Sequence, residues 1–153
     1  GDLKASFLVY DATADPRAHK RIVSEARDAG VLINVVDRPQ LCDFIAPAVV
    51  RRGDLLIAVS TGGASPALAK KVRRRLERSF GPEYEEGLRL LAALRGKLRQ
   101  SSLSALDRQK VLSELVNSRL LQHVKRREKA KVDRLLSRAI GRGWNLHRLG
   151  VKL

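Results

Sequence analysis

Asn34-Val35-Val36-Asp37-Arg38-Pro39 and, further along, Ala58-Val59-Ser60-Thr61-Gly62-Gly63-Ala64-Ser65-Pro66 are the two stretches that decide the fold of this chain. Ahead of the first lies an apolar run (Val31, Leu32, Ile33, then Val35 and Val36) that delivers Asp37 to a turn ended by Pro39. Ahead of the second lies Leu55-Leu56-Ile57-Ala58-Val59, which delivers a Gly-Gly loop to a helix start. Short continuous apolar runs closed by turn residues are what strands buried on both faces look like. In open parallel sheets, ligands bind beyond the carboxyl ends of the strands, so two strand ends carrying polar groups predict the floor of a site.

Working outward, Ser6 to Ala12 has the content of a buried strand, and Asp15 offers an N-cap with Pro16 at the first helical position. Ile22, Val23, Ala26 and Ala29 follow at helical spacing before Gly30, and Val31 to Val36 gives the next strand. Strand, helix, strand with short connections is a right-handed unit with parallel strands. Two such strands are too few for a stable sheet, so more sheet is expected from elsewhere. Leu41 to Val50, with Pro47 inside, predicts a short helix or irregular packing segment, Arg51 to Asp54 a turn, and Leu55 to Val59 a third strand.

Beyond Ser65-Pro66 a helix is predicted to Phe80, with Leu68, Val72, Leu76 and Phe80 on one face and Lys70, Lys71, Arg73, Arg74 and Arg75 around the other side. Gly81-Pro82 ends it. Tyr84, Leu88, Leu91, Leu94 and Leu98 mark a second stripe, and Ser104 with Asp107 opens a further helix through Leu112, Leu115, Val116 and Leu120. After the charge run Lys125 to Lys131 comes a last amphipathic segment to Ile140, then a tail whose Trp144, Leu146, Leu149 and Val151 predict docking.

The composition is 44% hydrophobic, ordinary for a globular protein, and the single cysteine, Cys42, excludes an internal disulfide. No run reaches about 18 apolar residues and no signal-peptide pattern opens the chain, so the expectation is a cytoplasmic protein without a membrane partner. The net charge of +15 is uneven: residues 95–153 carry 16 Lys/Arg against 4 Asp/Glu, residues 1–94 carry 15 against 12. That excess attracts polyanions, although 4% aromatic content offers few stacking platforms for nucleic acid. His19, His123 and His147 are scattered and Cys42 has no histidine beside it, so no resident metal site is expected.

Asn34 to Pro39, Leu41-Cys42-Asp43-Phe44-Ile45-Ala46-Pro47-Ala48, and Ala58 to Ala69 stand in the order and spacing that resemble the siroheme synthase family, the precorrin-2 dehydrogenases and sirohydrochlorin ferrochelatases. The resemblance implies an α/β fold: residues 1–50 as the C-terminal half of a Rossmann-like NAD-binding domain with a partial parallel sheet, 51–80 as a strand-helix dimerisation segment, 81–153 as a basic helical domain. Relatives carry an upstream half with a Gly-rich turn. No Gly-x-Gly-x-x-Gly occurs among the 11 glycines, and the chain starts Gly1-Asp2-Leu3-Lys4 and lacks methionine, which suggests an incomplete chain that alone binds NAD poorly.

The function so implied is NAD-dependent oxidation of precorrin-2, a polycarboxylate tetrapyrrole, to sirohydrochlorin by a homodimer, with insertion of ferrous iron as a second activity left open. From the residues alone, Asp37 is a general base or plain turn chemistry; the resemblance makes it the catalytic candidate. It also implies that Asn34, Ser60, Thr61, Gly62 and Gly63 contact the tetrapyrrole and that Thr13 and Asp15 lie near the dinucleotide. The Gly62-Gly63 loop lacks the lysine of a Walker loop. Where the family commonly has Ala-Ala-Thr-Asp-Asp, this chain departs with Asp11-Ala12-Thr13-Ala14-Asp15, and His19 stands where many relatives have asparagine. The rival expectation is a non-catalytic basic module that binds RNA or a partner protein.

Overall fold

Strands Leu8–Asp11 (β1) and Leu32–Val35 (β2) run parallel in a computed structural model that describes Leu3 and residues 5–153. Tyr10 lies opposite Asn34 and Asp11 opposite Val35. Helix α1, Pro16–Asp28, connects them and starts as its sequence dictates, with the Asp15 carboxylate accepting from the Arg17 N–H. Its inner face, Val23 and Ala26, closes with Val31, Ile33 and Val35 into one small core. Gly30, at φ +66, makes the left-handed turn that lets Val31 enter the sheet directly.

The second edge of β2 is sealed by side chains instead of another strand. Asp43 accepts from the Ile33 N–H and returns its own N–H to the Ile33 carbonyl, both bonds being near 2.9 Å (2.9 and 2.8 Å). Asn34 Nδ2 donates to the Phe44 carbonyl at 2.8 Å, and the Cys42 sulfur meets the Val35 N–H. Phe44 also stacks edge-on against Tyr10. A 3-10 turn, Pro39–Leu41, carries the chain from β2 into this seal.

The next elements differ from expectation. Ala48–Arg52 is a strand (β3), not a helix or packing segment, and it pairs with Leu55–Val59 (β4) in a separate two-stranded sheet. Strands joined by two residues pair antiparallel, and Gly53, at φ +57, takes the first turn position that favours glycine. β4 therefore does not extend the parallel sheet. Pro47 stands just ahead of β3, where no ladder N–H is needed. Helix α2, Pro66–Ser79, follows, and Arg52 binds the carbonyls of Glu77 and Phe80 at its end. Of the predicted stripe on α2, Leu68 and Val72 are exposed, at 51% and 37%.

The chain divides into two compact units: the segment up to Val49 with Ala58–Arg74, and Val50–Ile57 with Arg75–Leu153. In the second, α3 (Glu83–Arg99), α4 (Ala105–Asn117), α5 (Leu120–Lys125), α6 (Lys129–Ile140) and α7 (Leu146–Leu149) enclose Leu90, Leu94, Leu98, Leu115, Val124 and Leu136. Ser104 caps α4 as its sequence predicts, whereas Ser118 interrupts the expected run to Leu120 by accepting the Leu120 N–H. The charge run is tied to acids: Lys125 to Glu83, Arg127 to Glu86, and Lys131 and His123 to Glu128. The tail docks, with Trp144, Leu146 and Leu149 buried.

If side chains 42–44 substitute for a strand, Asp43→Ala strands the Ile33 N–H beside a fully buried side chain and costs about 2 kcal/mol. Urea unfolding followed by circular dichroism measures it; a loss within about 0.5 kcal/mol, as at an ordinary surface position, would show that the seal carries little.

Candidate active site

Beyond β2 the chain turns through Val36 and Asp37, and Asp37 adopts φ +61, one of two non-glycine residues with positive φ among the described residues. Aspartate tolerates this left-handed region better than most residues, at a cost of about 1 kcal/mol. Its carboxylate is exposed and has no hydrogen-bond or ion-pair partner among the described residues. A carboxylate held at a strand end with both oxygens free can accept a proton from a ligand.

The loop after β4 comes to this place by close packing. Gly63, at φ +84, has no room for a side chain: a Cβ there would stand 3.2 Å from Pro39 Cβ and 3.7 Å from Ile45 Cδ1. The Ser60–Ser65 loop thus lies against the segment that follows Asp37, although β4 belongs to another sheet. Within the loop Ser60 Oγ accepts the Gly62 N–H and Thr61 Oγ1 accepts the Ser65 N–H, both at 3.1 Å, while Ala64 N donates to the Thr61 carbonyl. Those three N–H groups are spent internally, whereas the Thr61 and Gly63 N–H groups have no partner among the described residues and remain, with the loop hydroxyls, as donors for a ligand. Ser65 Oγ caps α2 through the Leu68 N–H.

Asn34, expected on the ligand side, is buried and spends its Nδ2 on Phe44, so its place here is in the seal of β2. Thr13 and Asp15 follow the end of β1, both exposed. Asp15 Oδ1 is occupied by the α1 cap, and the Thr13 N–H and hydroxyl both donate to Asp11 Oδ1. The second Asp15 oxygen and a Thr13 lone pair remain to spare for a ligand; the Gly-rich phosphate turn is not among the 153 residues.

The residue that sequence reasoning missed is Asp11. It is 1% exposed, and its Oδ2 receives His19 Nδ1 at 2.6 Å. Since a carboxylate only accepts, Nδ1 carries the proton. His19 shares the inner face of α1 with Val23 and Ala26, which brings the ring to the end of β1. The signal in the sequence was the joint departure at positions 11 and 19. Burial alone would raise the Asp11 carboxyl, but the hydrogen bonds from His19 and from the Thr13 N–H and hydroxyl outweigh it and hold the group below its ordinary value. No group of three or more His, Cys, Asp or Glu fit for a metal occurs among the described residues.

A parallel β-α-β unit with polar groups at its strand ends is the half of a dinucleotide-binding fold, and residues 1–48 match a family model described as NAD(P)-binding. Residues 52–79 match the model of the sirohaem biosynthesis protein central segment. The matched segments are similar to siroheme synthases and precorrin-2 dehydrogenases. The chain is 45% identical over 100 residues to a siroheme synthase of Methylococcus capsulatus, covering 65% of this chain and 21% of the relative. To a precorrin-2 dehydrogenase of Methanosarcina barkeri it is 36% identical over 118 residues, covering 77% of this chain and 52% of the relative. The solved structure of SirC, a precorrin-2 dehydrogenase, matches 90% of this chain and 65% of its own at a TM-score of 0.69 and 27% identity. The chain thus spans about a fifth of the siroheme synthases (21%) and about half (52%) of the Methanosarcina dehydrogenase.

A carboxyl whose folded value is lowered stabilises the fold above its unfolded value, here 3.8, and loses that contribution as pH falls through the lower folded value. Asp11→Asn is therefore expected to cost about 1–3 kcal/mol at pH 7, with the gap to wild type narrowing below pH 4. Urea unfolding at pH 7 and pH 3 tests this; a gap equal at both pH values would mean the charge of Asp11 contributes nothing.

Proposed function

We propose that the protein oxidises precorrin-2 to sirohydrochlorin with NAD, using Asp37 as the proton acceptor. The observation that supports this best is the unpartnered Asp37 carboxylate beside a loop whose Gly63 packs on Pro39. Removing two hydrogens from the macrocycle releases one hydride and one proton; the dinucleotide, when bound, takes the hydride. Asp37 takes the proton. Ser60 and Thr61 donate their hydroxyl protons to substrate carboxylates, and Gly62 and Gly63 keep the loop low enough for a flat ring to approach. Thr13 and Asp15 border the dinucleotide, and Asn34 acts from behind by holding β2 in register.

Insertion of ferrous iron into the product is proposed as a second reaction of the same loops. The metal is then substrate, held by the macrocycle nitrogens, and Asp37 accepts the protons they release. The chain's division into a cofactor half (1–50), a dimerisation segment (51–80) and a basic helical domain (81–153) is part of the same proposal. So is a homodimer formed through β4 and α2: Leu68 and Val72, one turn apart on α2, and Leu56 on β4 are exposed apolar side chains that a second copy would cover.

Two measurements test this. Anaerobic turnover of precorrin-2 with NAD, followed by absorbance in the protein expressed from its whole coding sequence, is expected to fall about 10²- to 10⁴-fold in Asp37→Asn, a variant that keeps the left-handed turn. Turnover equal to wild type would remove Asp37 from the mechanism, and no turnover by folded wild type would favour the basic binding module. In sedimentation velocity, Leu68→Glu is expected to shift a dimer to monomer; an unchanged dimer places the interface elsewhere.

A further inference from the structure

Helices α3 and α4 leave between them a groove of about 580 Å³, within the range of small-molecule sites. Its lining combines two chemistries. Leu98, Leu112 and Val116 are apolar, and Val116 is 57% exposed. Arg95 and Arg99, one turn apart on α3, and Arg108 from α4 line the same space. A second hollow of about 330 Å³ shares Arg95, Leu112 and Val116 and adds Leu88, Leu91 and Ala92, with Asp54 its one acid.

Like charges at i, i+4 destabilise a helix slightly, and Arg95 and Arg99 are without a hydrogen-bond or ion-pair partner among the described residues, whereas Lys125, Arg127 and Lys131 are tied to Glu83, Glu86 and Glu128. Arg108 spends one nitrogen on the Leu103 carbonyl at 2.6 Å and keeps the rest of its fork. Three arginines and apolar side chains lining one groove match carboxylates attached to a flat apolar body, since the planar fork pairs carboxylates bidentately. The lining holds no aromatic side chain on which successive nucleic-acid bases could stack.

We infer that the α3–α4 groove binds a flat apolar polycarboxylate, its carboxylates on Arg95, Arg99 and Arg108 and its ring on Leu112 and Val116. The groove shares no residue with the Asp37 and Gly63 loops. Equating its ligand with the tetrapyrrole of the proposed reaction rests on that function; the class of ligand rests on the groove.

The test is fluorescence titration of uroporphyrin, a stable octacarboxylate macrocycle, against the whole protein. Saturable binding is expected, weakened about tenfold or more in Arg95→Gln/Arg99→Gln and unchanged in Lys129→Gln, an exposed cation outside the groove, with far-UV circular dichroism the same in all three. Citrate, which has carboxylates and no ring, is not expected to compete at equal concentration. Equal binding by wild type and the arginine variant overturns the inference while leaving the Asp37 function standing. Competition by citrate, or by single-stranded RNA at equal concentration, also overturns it. Arginine-dependent porphyrin binding by a protein that does not turn over precorrin-2 supports the groove and removes the reaction.

Discussion

β2 has hydrogen-bonding groups on two edges and a strand beside only one of them. Buried N–H and carbonyl groups must find partners, and the chain supplies them from the segment just downstream, through Asp43 and Cys42, while the Phe44 carbonyl accepts from the Asn34 side chain. That constraint shapes the turn beyond the strand. To return alongside the strand it has just left, the chain must reverse within a few residues, which accounts for the left-handed Asp37 and the 3-10 turn at Pro39. The same reversal puts Pro39 and Ile45 where Gly63 can meet them.

The positive charge of the helical unit falls into two populations. Lys125, Arg127 and Lys131 are spent on glutamates, so much of the run that looks like an interaction tail is a set of half-exposed ion pairs, two of them reaching α3 and one within the first turn of α6, each worth little alone. Arg95 and Arg99 are not so spent. Net charge by itself does not separate the two; only the partner inventory does.

Features that depend on near neighbours were legible in the sequence: the Asp15 and Ser104 caps, the Gly30 stop, the stripe of Leu94 and Leu98, the docking tail. Features that depend on distant partners were not. β3 was hidden because Pro47 seemed to lie inside its run rather than ahead of it, and because Arg51-Arg52 looked like turn residues although Arg52 reaches Glu77 and Phe80. The expected meeting of the Asp37 and Gly63 loops is seen, but by a different route: not as neighbouring strand ends of one sheet but as two loops packed at a glycine. Asp11 and His19 were visible only as two departures from a pattern, with nothing local to say that they bond to each other.

Asp37 and Asp11 show how opposite environments separate two carboxylates only a strand pair apart. Asp11 is buried, bound by three donors and held ionised, so it organises the end of β1 and the start of α1 and has no capacity left for a substrate. Asp37 stands just past the end of the neighbouring strand with none of these partners, in a backbone conformation that glycine would adopt at lower cost. An aspartate there gives up about 1 kcal/mol and gains no contact within the fold. A strained polar residue without an internal partner is compatible with stability only because the seal of β2 holds the turn in place, and its carboxylate is available for a ligand arriving from solvent.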